Sequence, residues 1–349
     1  MIDLSFWRGK RVFVTGHTGF KGSWLCKILS CLKSVVTGYA LTPQTNPSLF
    51  EICRPDMSSI TGDIRDQASL LAAFNAAKPE IVLHMAAQPL VLESYRDPRY
   101  TFDVNIIGTV NLFECIRQSG CVKSVLNITT DKVYLNLNRQ EGYNEDEHLC
   151  GFDPYSNSKS CSELVTYSYK NAFFNSLGIP VSTARSGNVI GGGDFSSNRL
   201  IPDCAGAALR GEVIKIRNPG SVRPYQHVLD TLFAYLLITE KQYDDFGIAG
   251  AYNIGPADSD CATSAMIAGM FCGAWGGGAK WESVSADNPH EDAMLTLDCT
   301  KIRETLGWAP IWDIERAVQE TAVWYKAYKA GRANAVMDKQ INEFIELLA

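Results

Sequence analysis

Two short stretches hold side chains that could move protons between carbon and oxygen. Asn127-Ile128-Thr129-Thr130-Asp131-Lys132-Val133-Tyr134 carries an apolar run, Ser124 to Ile128, straight into a polar cluster. Further along, Asp153-Pro154-Tyr155-Ser156-Asn157-Ser158-Lys159 reads as a helix start, with Asp153 as N-cap and Pro154 at the first helical position. Tyr155 and Lys159 stand four apart, hence on one helix face. An ammonium near a phenol favours the phenolate, which predicts a Tyr155 pKa below the usual value of about 10 and a role as general base.

Residues of this kind must be carried by elements that bring them together. Lys10 to Thr15 is a β-rich run, followed at once by Gly16-His17-Thr18-Gly19-Phe20-Lys21-Gly22 and then by a helical pattern from Ser23 to Leu32. Strand, glycine turn and helix form the context of a dinucleotide fingerprint. Gly16 would permit the tight turn, Gly19 the approach of a diphosphate and Gly22 the close packing of helix on strand, with Thr18 and Phe20 beside them. A second strand is expected from Ser34 to Ala40. No acid follows it to hold a ribose, and no arginine follows to hold a 2′-phosphate, so the choice between NAD and NADP is not written there.

Asp63 and Ile64 precede a helix from Gln67 to Ala77 and are candidates to meet an adenine. Pro79 to Met85 is expected as a buried strand ending in His84-Met85-Ala86-Ala87-Gln88-Pro89. The small pair Ala86-Ala87 would leave room for a cofactor. Gln88 is polar at a strand end, and His84 fits a hydrogen-bonded core position as well as a ligand contact. A long helical pattern from Asp97 to Arg117 contains Asn105.

A sixth strand, Pro180 to Ala184, leads to Asn188; after it come a loop over Gly191 to Phe195, a helix opened by Arg199, and a strand from Val213 to Ile216. Arg199 and Arg223 are the cations best placed to clamp a second diphosphate, that of a substrate. The repeated strand–helix rhythm predicts an α/β fold with a doubly wound parallel sheet of Rossmann type. A smaller, discontinuous α/β substrate domain would accompany it. The expected division is 1–185 and 225–256 for the dinucleotide, against 186–224 and 257–349 for the substrate. The later part includes the expected loop Asn288-Pro289-His290-Glu291.

With 349 residues the chain can bury a large core, and its net charge of −6 gives no basic footprint for nucleic acid or an anionic membrane. No leader pattern and no apolar run long enough for a bilayer is seen. Eleven cysteines without a C-x-x-C pair suit a reducing cytoplasm, and five scattered histidines argue against a metal.

On these residues the chain resembles the extended short-chain dehydrogenase/reductases. The likeness rests on Gly16/Gly19/Gly22 at G-x-x-G-x-x-G spacing, Asp63, Ala86-Ala87, Asn105, Thr130, Tyr155/Lys159 and Asn188. Within that family, Thr130-Asp131-Lys132 and Arg223-Pro224-Tyr225-Gln226-His227-Val228 resemble the nucleotide-hexose 4,6-dehydratases that take CDP-glucose, enzymes of deoxysugar and O-antigen synthesis.

The resemblance implies NAD as cofactor and a nucleotide-sugar, CDP-glucose, as substrate. It implies Tyr155 as base at the sugar 4-hydroxyl, Thr130 holding that hydroxyl, and Lys159 on the nicotinamide ribose. Water would then leave across C5–C6, with Lys132 as base and Asp131 as acid, and hydride would return to C6. His84, Gln88, Asn188, Arg199, Arg223 and His227 would face the substrate. COOH plus NH₂ has the same proton count as COO⁻ plus NH₃⁺, so the roles of Asp131 and Lys132 stay open to exchange. A nucleotide-sugar epimerase or another nucleotide-glucose 4,6-dehydratase on the same scaffold, and a non-catalytic NAD-binding protein, are the alternatives. The family also implies a homodimer or homotetramer, paired through the helices from Asp97 to Arg117 and from Tyr155 to Phe174.

Overall fold

The computed structural model describes residues 2–257, 260–284 and 294–348; the loop expected at Asn288 to Glu291 lies outside them. Seven parallel strands form the large sheet: β1 (Arg11–Thr15), β2 (Val35–Ala40), β3 (Ser58–Thr61), β4 (Ile81–His84), β5 (Ser124–Ile128), β6 (Val181–Ser186) and, later in the chain, β11 (Ala251–Ile254). Their order is β11-β6-β5-β4-β1-β2-β3, so the strand order reverses between β1 and β4. At such a reversal the loops part and leave a crevice beyond the carboxyl ends of the strands.

The sheet is buried on both faces. Along β1, Val12 and Val14 pack with Trp24, Leu25 and Ile28, while Phe13 between them packs with Phe74 and Phe113 on the other side. Alternation of this kind needs helices on both faces, and near-continuous apolar strands are its sequence signature.

Local signals set the element ends. Asp153 caps the helix Pro154–Tyr169 by accepting from Ser156 N at 3.0 Å, and Asp66 caps Gln67–Ala77 by accepting from Ser69 N. The first helix begins at Phe20, earlier than its apolar spacing indicates, because Gly19 supplies the extended N-cap. The stretch expected as one helix is three pieces, Pro98–Phe102, a wide π-helical turn Asp103–Ile107, and Gly108–Gln118.

After β6 the chain leaves the large sheet. It forms β7 (Asn188–Ile190), β8 (Ile214–Ile216), β9 (Val222–Arg223) and β10 (Tyr225–His227), then returns through the helix Val228–Asp244 to β11. A last excursion adds β12 (Ala262–Thr263) and β13 (Trp281–Ser283), which pair with β9 and β8, while β10 pairs with β7.

The helix Ile314–Lys329 then packs back over the loop after β7. A Cβ on Gly192 would lie 2.0 Å from the Trp324 ring, Tyr325 Oη donates to Asp194 O at 2.5 Å, and the Phe195 ring packs among Trp324, Tyr325 and Tyr328. Among the described residues no helix is long and apolar enough to cross a membrane.

Candidate active site

A cavity of about 1050 Å³ opens beyond the carboxyl ends of the large sheet. One side is the glycine-rich turn. Gly16 has φ +76°, and a Cβ there would sit 2.7 Å from Ala86 N; a Cβ on Gly22 would sit 2.2 Å from Gly16 O. Only glycine fits either place, so backbone N–H groups at the start of the helix Phe20–Cys31 are brought to the cavity wall. Thr18, Gly19, Phe20, Ala86 and Ala87 line the same side, as do Asp63 and Ile64 beyond β3. Asp63 is tied to Arg65 by a 2.6 Å ion pair, which holds its carboxyl below the usual range. These features form a cradle that fits a dinucleotide: a diphosphate-sized backbone concavity, small side chains behind it, and a polar far end.

The opposite wall carries the side chains that could move protons. Thr130, Asp131 and Lys132 follow directly on β5, and Tyr155 and Lys159 reach the cavity from the helix Pro154–Tyr169. Thr130 hydrogen-bonds Tyr155, and Thr130 Oγ1 donates to Asp131 Oδ1 at 2.9 Å. Asp131 is buried and its Oδ2 has no hydrogen-bond partner in the protein. Burial pushes its pKa up, opposed by Lys132 and Thr130, which is the direction that suits a proton donor.

Lys159 departs from expectation. Its Nζ donates to Ile128 O at 2.9 Å, and burial, then the charge of Lys21, hold its pKa down to about 7. Tyr155 is not lowered: burial pushes it up to about 12 against the pull of the Thr130 hydrogen bond and Arg199. The cost of enclosing a phenolate exceeds the benefit of the nearby cation, a balance that spacing along a helix does not contain.

At the far end Asn188, Arg199 and Arg223 line the cavity. Arg199 is paired with Asp194 at 3.1 Å, and Arg223 is buried with Nη1 donating to Val222 O at 2.8 Å. Lys21, Ser186, Asp203 and Arg217 line it too, none of them singled out as site residues by the sequence. A lysine set between Phe20 and Gly22 in an otherwise apolar helix start was the available signal for the first.

Four expected contacts are corrected. His84 lies within the protein below the cavity, with Nδ1 2.7 Å from Thr15 Oγ1 and Nε2 3.1 Å from Thr109 Oγ1. Burial, helped by Lys159, holds its pKa down to about 3, so it is a neutral core histidine. The His227 ring packs tilted against Trp312, centroids 4.6 Å apart, and caps its own helix by accepting from Leu229 N. Asn105 is also buried away from the cavity: its Oδ1 accepts from Gln88 N, and its Nδ2 donates to Gln88 O and Ser158 Oγ. Gln88 does line the cavity, but its amide is spent on Leu90 and Thr101. Asn105 and Gln88 thus shape the loop after β4, and of the two only Gln88 borders the cavity. Among the described residues, no cluster of His, Cys, Asp or Glu could hold a metal.

Comparison with known proteins adds the family. The sequence model described as GDP-mannose 4,6 dehydratase matches residues 13–321. The chain is 45% identical over 348 residues to a CDP-glucose 4,6-dehydratase of Salmonella typhimurium, covering 97% of each. It is 28% identical to a dTDP-glucose 4,6-dehydratase of Xanthomonas campestris, over 89% of this chain and 92% of that one.

Among solved structures, a UDP-glucose 4-epimerase of Thermus thermophilus in complex with NAD superposes with TM-score 0.78 at 25% identity, covering 90% of this chain and 98% of the other. A dTDP-glucose 4,6-dehydratase of Bacillus anthracis, also with NAD, gives 0.76 at 22%, covering 92% and 97%. The glycine cradle, the Thr130-Asp131-Lys132 segment beside Tyr155, and a match that runs almost from end to end agree: this chain belongs to the GDP-mannose 4,6 dehydratase family.

Proposed function

We propose that the protein is an NAD-dependent hydro-lyase that converts CDP-D-glucose to CDP-4-keto-6-deoxy-D-glucose. The observation that carries this reading is the Thr130-Asp131-Lys132 segment facing Tyr155 across one cavity. An oxidation at C4 needs only the tyrosine and the threonine. An acid and an amine beside them supply the extra proton transfers of an elimination. The 45% identity to a CDP-glucose 4,6-dehydratase supports both the reaction and the nucleotide.

The cradle at Gly16, Gly19, Gly22, Ala86 and Ala87 would hold NAD, with Thr18, Phe20, Asp63 and Ile64 flanking it and Lys159 on its ribose. When bound, NAD takes two electrons from sugar C4 and returns them at C6. Tyr155 takes the 4-hydroxyl proton while Thr130 holds the oxygen; the Thr130 hydrogen bond and the charge of Arg199 favour the phenolate this needs. The new ketone acidifies the C5 proton, for which Lys132 is the base. Asp131, whose pKa burial pushes up, is the acid for the departing 6-hydroxyl. Arg199 and Arg223 clamp the substrate diphosphate, and Asn188 lies beside the sugar.

In this assignment residues 1–185 and 225–256 serve the cofactor, and 186–224 and 257–349 serve the nucleotide-sugar. The exposed apolar side chains Ile107, Leu164, Tyr167 and Phe173 support pairing of two copies through the helices that carry them. The eleven free cysteines support a reducing, cytoplasmic setting.

The test is turnover of CDP-, dTDP-, UDP- and GDP-glucose, each followed for the alkali-absorbing 4-keto product. CDP-glucose alone, or far ahead of the rest, is the expected result. Formation of a CDP- or UDP-galactose without water loss would replace the dehydratase by an epimerase. Tight NAD binding with no turnover of any of the four would leave a non-catalytic binding protein.

A further inference from the structure

The helix Phe20–Cys31 turns Trp24, Leu25, Ile28 and Leu29 into the core. Lys21, in its first turn, turns inward as well and lines the cavity. Its Nζ donates to Tyr235 Oη at 3.2 Å and to Ser186 Oγ at 3.4 Å, and those two hydroxyls lie 2.8 Å apart. Ser186 ends β6 and borders the cavity; at the next residue, a Cβ on Gly187 would lie 3.2 Å from Asp131 Oδ2. Lys21 and Ser186 therefore line the wall between the glycine-rich turn and Asp131, with Tyr235 buried against them.

The hydroxyls of Ser186 and Tyr235 satisfy one another but neutralise nothing. The charges that reach Lys21 are Arg199, which disfavours the ammonium, and Asp131, which favours it; its own charge is felt at Lys159. Burial, then Arg199, hold Lys21 down to about 8, so it is an ammonium at neutral pH. The elimination chemistry above gives this cation no proton to move.

We propose that Lys21 sets the redox balance of the bound cofactor, its charge favouring the neutral reduced nicotinamide over the positively charged oxidised one. The inference rests on the NAD reading above. In the first half-reaction the C4–H bond breaks, and its electron pair goes to the nicotinamide, which loses its positive charge. The hydroxyl proton goes to Tyr155 and the C4 ketone forms. Oxidising a secondary alcohol with this carrier is uphill near neutral pH. Saturating a conjugated C5–C6 double bond with the reduced carrier is strongly downhill. A fixed cation that favours the reduced form helps the uphill half and hinders only the half with a large driving force.

The test measures affinities of NAD⁺ and NADH separately by calorimetry on the full-length, cofactor-stripped protein without substrate. Lys21→Gln keeps a donor to Tyr235 without the charge, and Lys21→Met removes both. Each should lower the ratio Kd(NAD⁺)/Kd(NADH) by about tenfold, as expected for one unit charge in a partly enclosed site. In the wild type that ratio should fall as pH rises through about 8, and the step should vanish in both variants. The Lys159 step, near 7 in the wild type, should survive in them at a higher pH, because the charge of Lys21 no longer holds it down.

An unchanged ratio in the variants, equal losses of both affinities, or a wild-type ratio without a step near 8 would overturn the inference while leaving the cofactor assignment intact. The wild-type pH series decides even if neither variant folds. Wild-type protein that bound neither form would overturn both.

Discussion

Replacing Glu163 by glutamine should damage this protein more than any other single isosteric change in its interior. Glu163 and Arg185 are each 4% exposed and paired, Arg185 Nε and Nη2 donating to the two carboxylate oxygens at 2.9 Å. Thr129 Oγ1 and Thr183 Oγ1 donate to the same oxygens at 2.5 and 2.7 Å, and Arg185 Nη1 donates onward to Tyr134 Oη and Glu145 O. In Glu163→Gln one acceptor becomes a donor among donors, and a buried guanidinium loses its counter-charge. Breaking one side of such a pair costs about 3–5 kcal/mol, whereas replacing both sides by apolar groups is often neutral.

The assay is the urea midpoint at fixed protein concentration for Glu163→Gln, Arg185→Met and Glu163→Met/Arg185→Met. Each single change should cost about 3–5 kcal/mol and the double change less than either. Because Glu163 also raises the Lys159 pKa, Lys159 should lose its proton at lower pH in Glu163→Gln. A single change costing under about 1 kcal/mol, or a double change worse than the singles, would refute this account of the ion pair.

Three further outcomes are expected. Gly16→Ala forces a side chain into φ +76° and a 2.7 Å approach to Ala86 N; it should weaken NAD⁺ binding at least about tenfold by calorimetry, beyond a left-handed backbone cost of about 1–2 kcal/mol. Tyr155→Phe should show no reduced nicotinamide when substrate is added, whereas Lys132→Ala should accumulate it in a single turnover and lose about 10²–10⁴-fold in product formation.

Asp230→Asn should flatten the acid side of the stability profile. Burial pushes Asp230 up to about 7 against backbone donors that include Ile311 N. Between its unfolded value of about 3.9 and about 7 the unfolded chain binds fewer protons, so stability falls as pH rises through that window and levels off above it. Thermal unfolding at intervals across pH 4–8 checks this.

Legibility in the sequence followed the range of the interactions involved. The segment Ser124 to Lys132 and the start at Pro154 were readable because their causes are local: a buried apolar strand, a capping aspartate, a proline at the first helical position. The glycine turn was readable for the same reason. His84, Asn105 and His227 were marked correctly as polar residues in special places but assigned to the wrong partner. Thr15 and Thr109, which hold His84, are remote in sequence, and Trp312 under His227 is remoter still. Lys21 was hidden by the glycines around it. The expected lowering of Tyr155 failed because burial depends on everything packed around the phenol, not on the residue four positions away.

The hold of Trp324 and Tyr325 on the loop after β7 bears on the order in which the protein can be made. A nascent chain that has emerged as far as residue 257 contains every strand of the large sheet, the glycine turn and the Thr130–Lys159 wall. It still lacks the surface that encloses Gly192, Asp194 and Phe195, and Arg199 is positioned through Asp194. The large sheet and its glycine turn can thus assemble on the ribosome while the Asp194–Arg199 segment waits for the helix Ile314–Lys329 near the end of translation. A chain stalled or nicked before that helix would hold the glycine cradle and the Thr130–Lys159 wall but leave Arg199 without its supported partner Asp194.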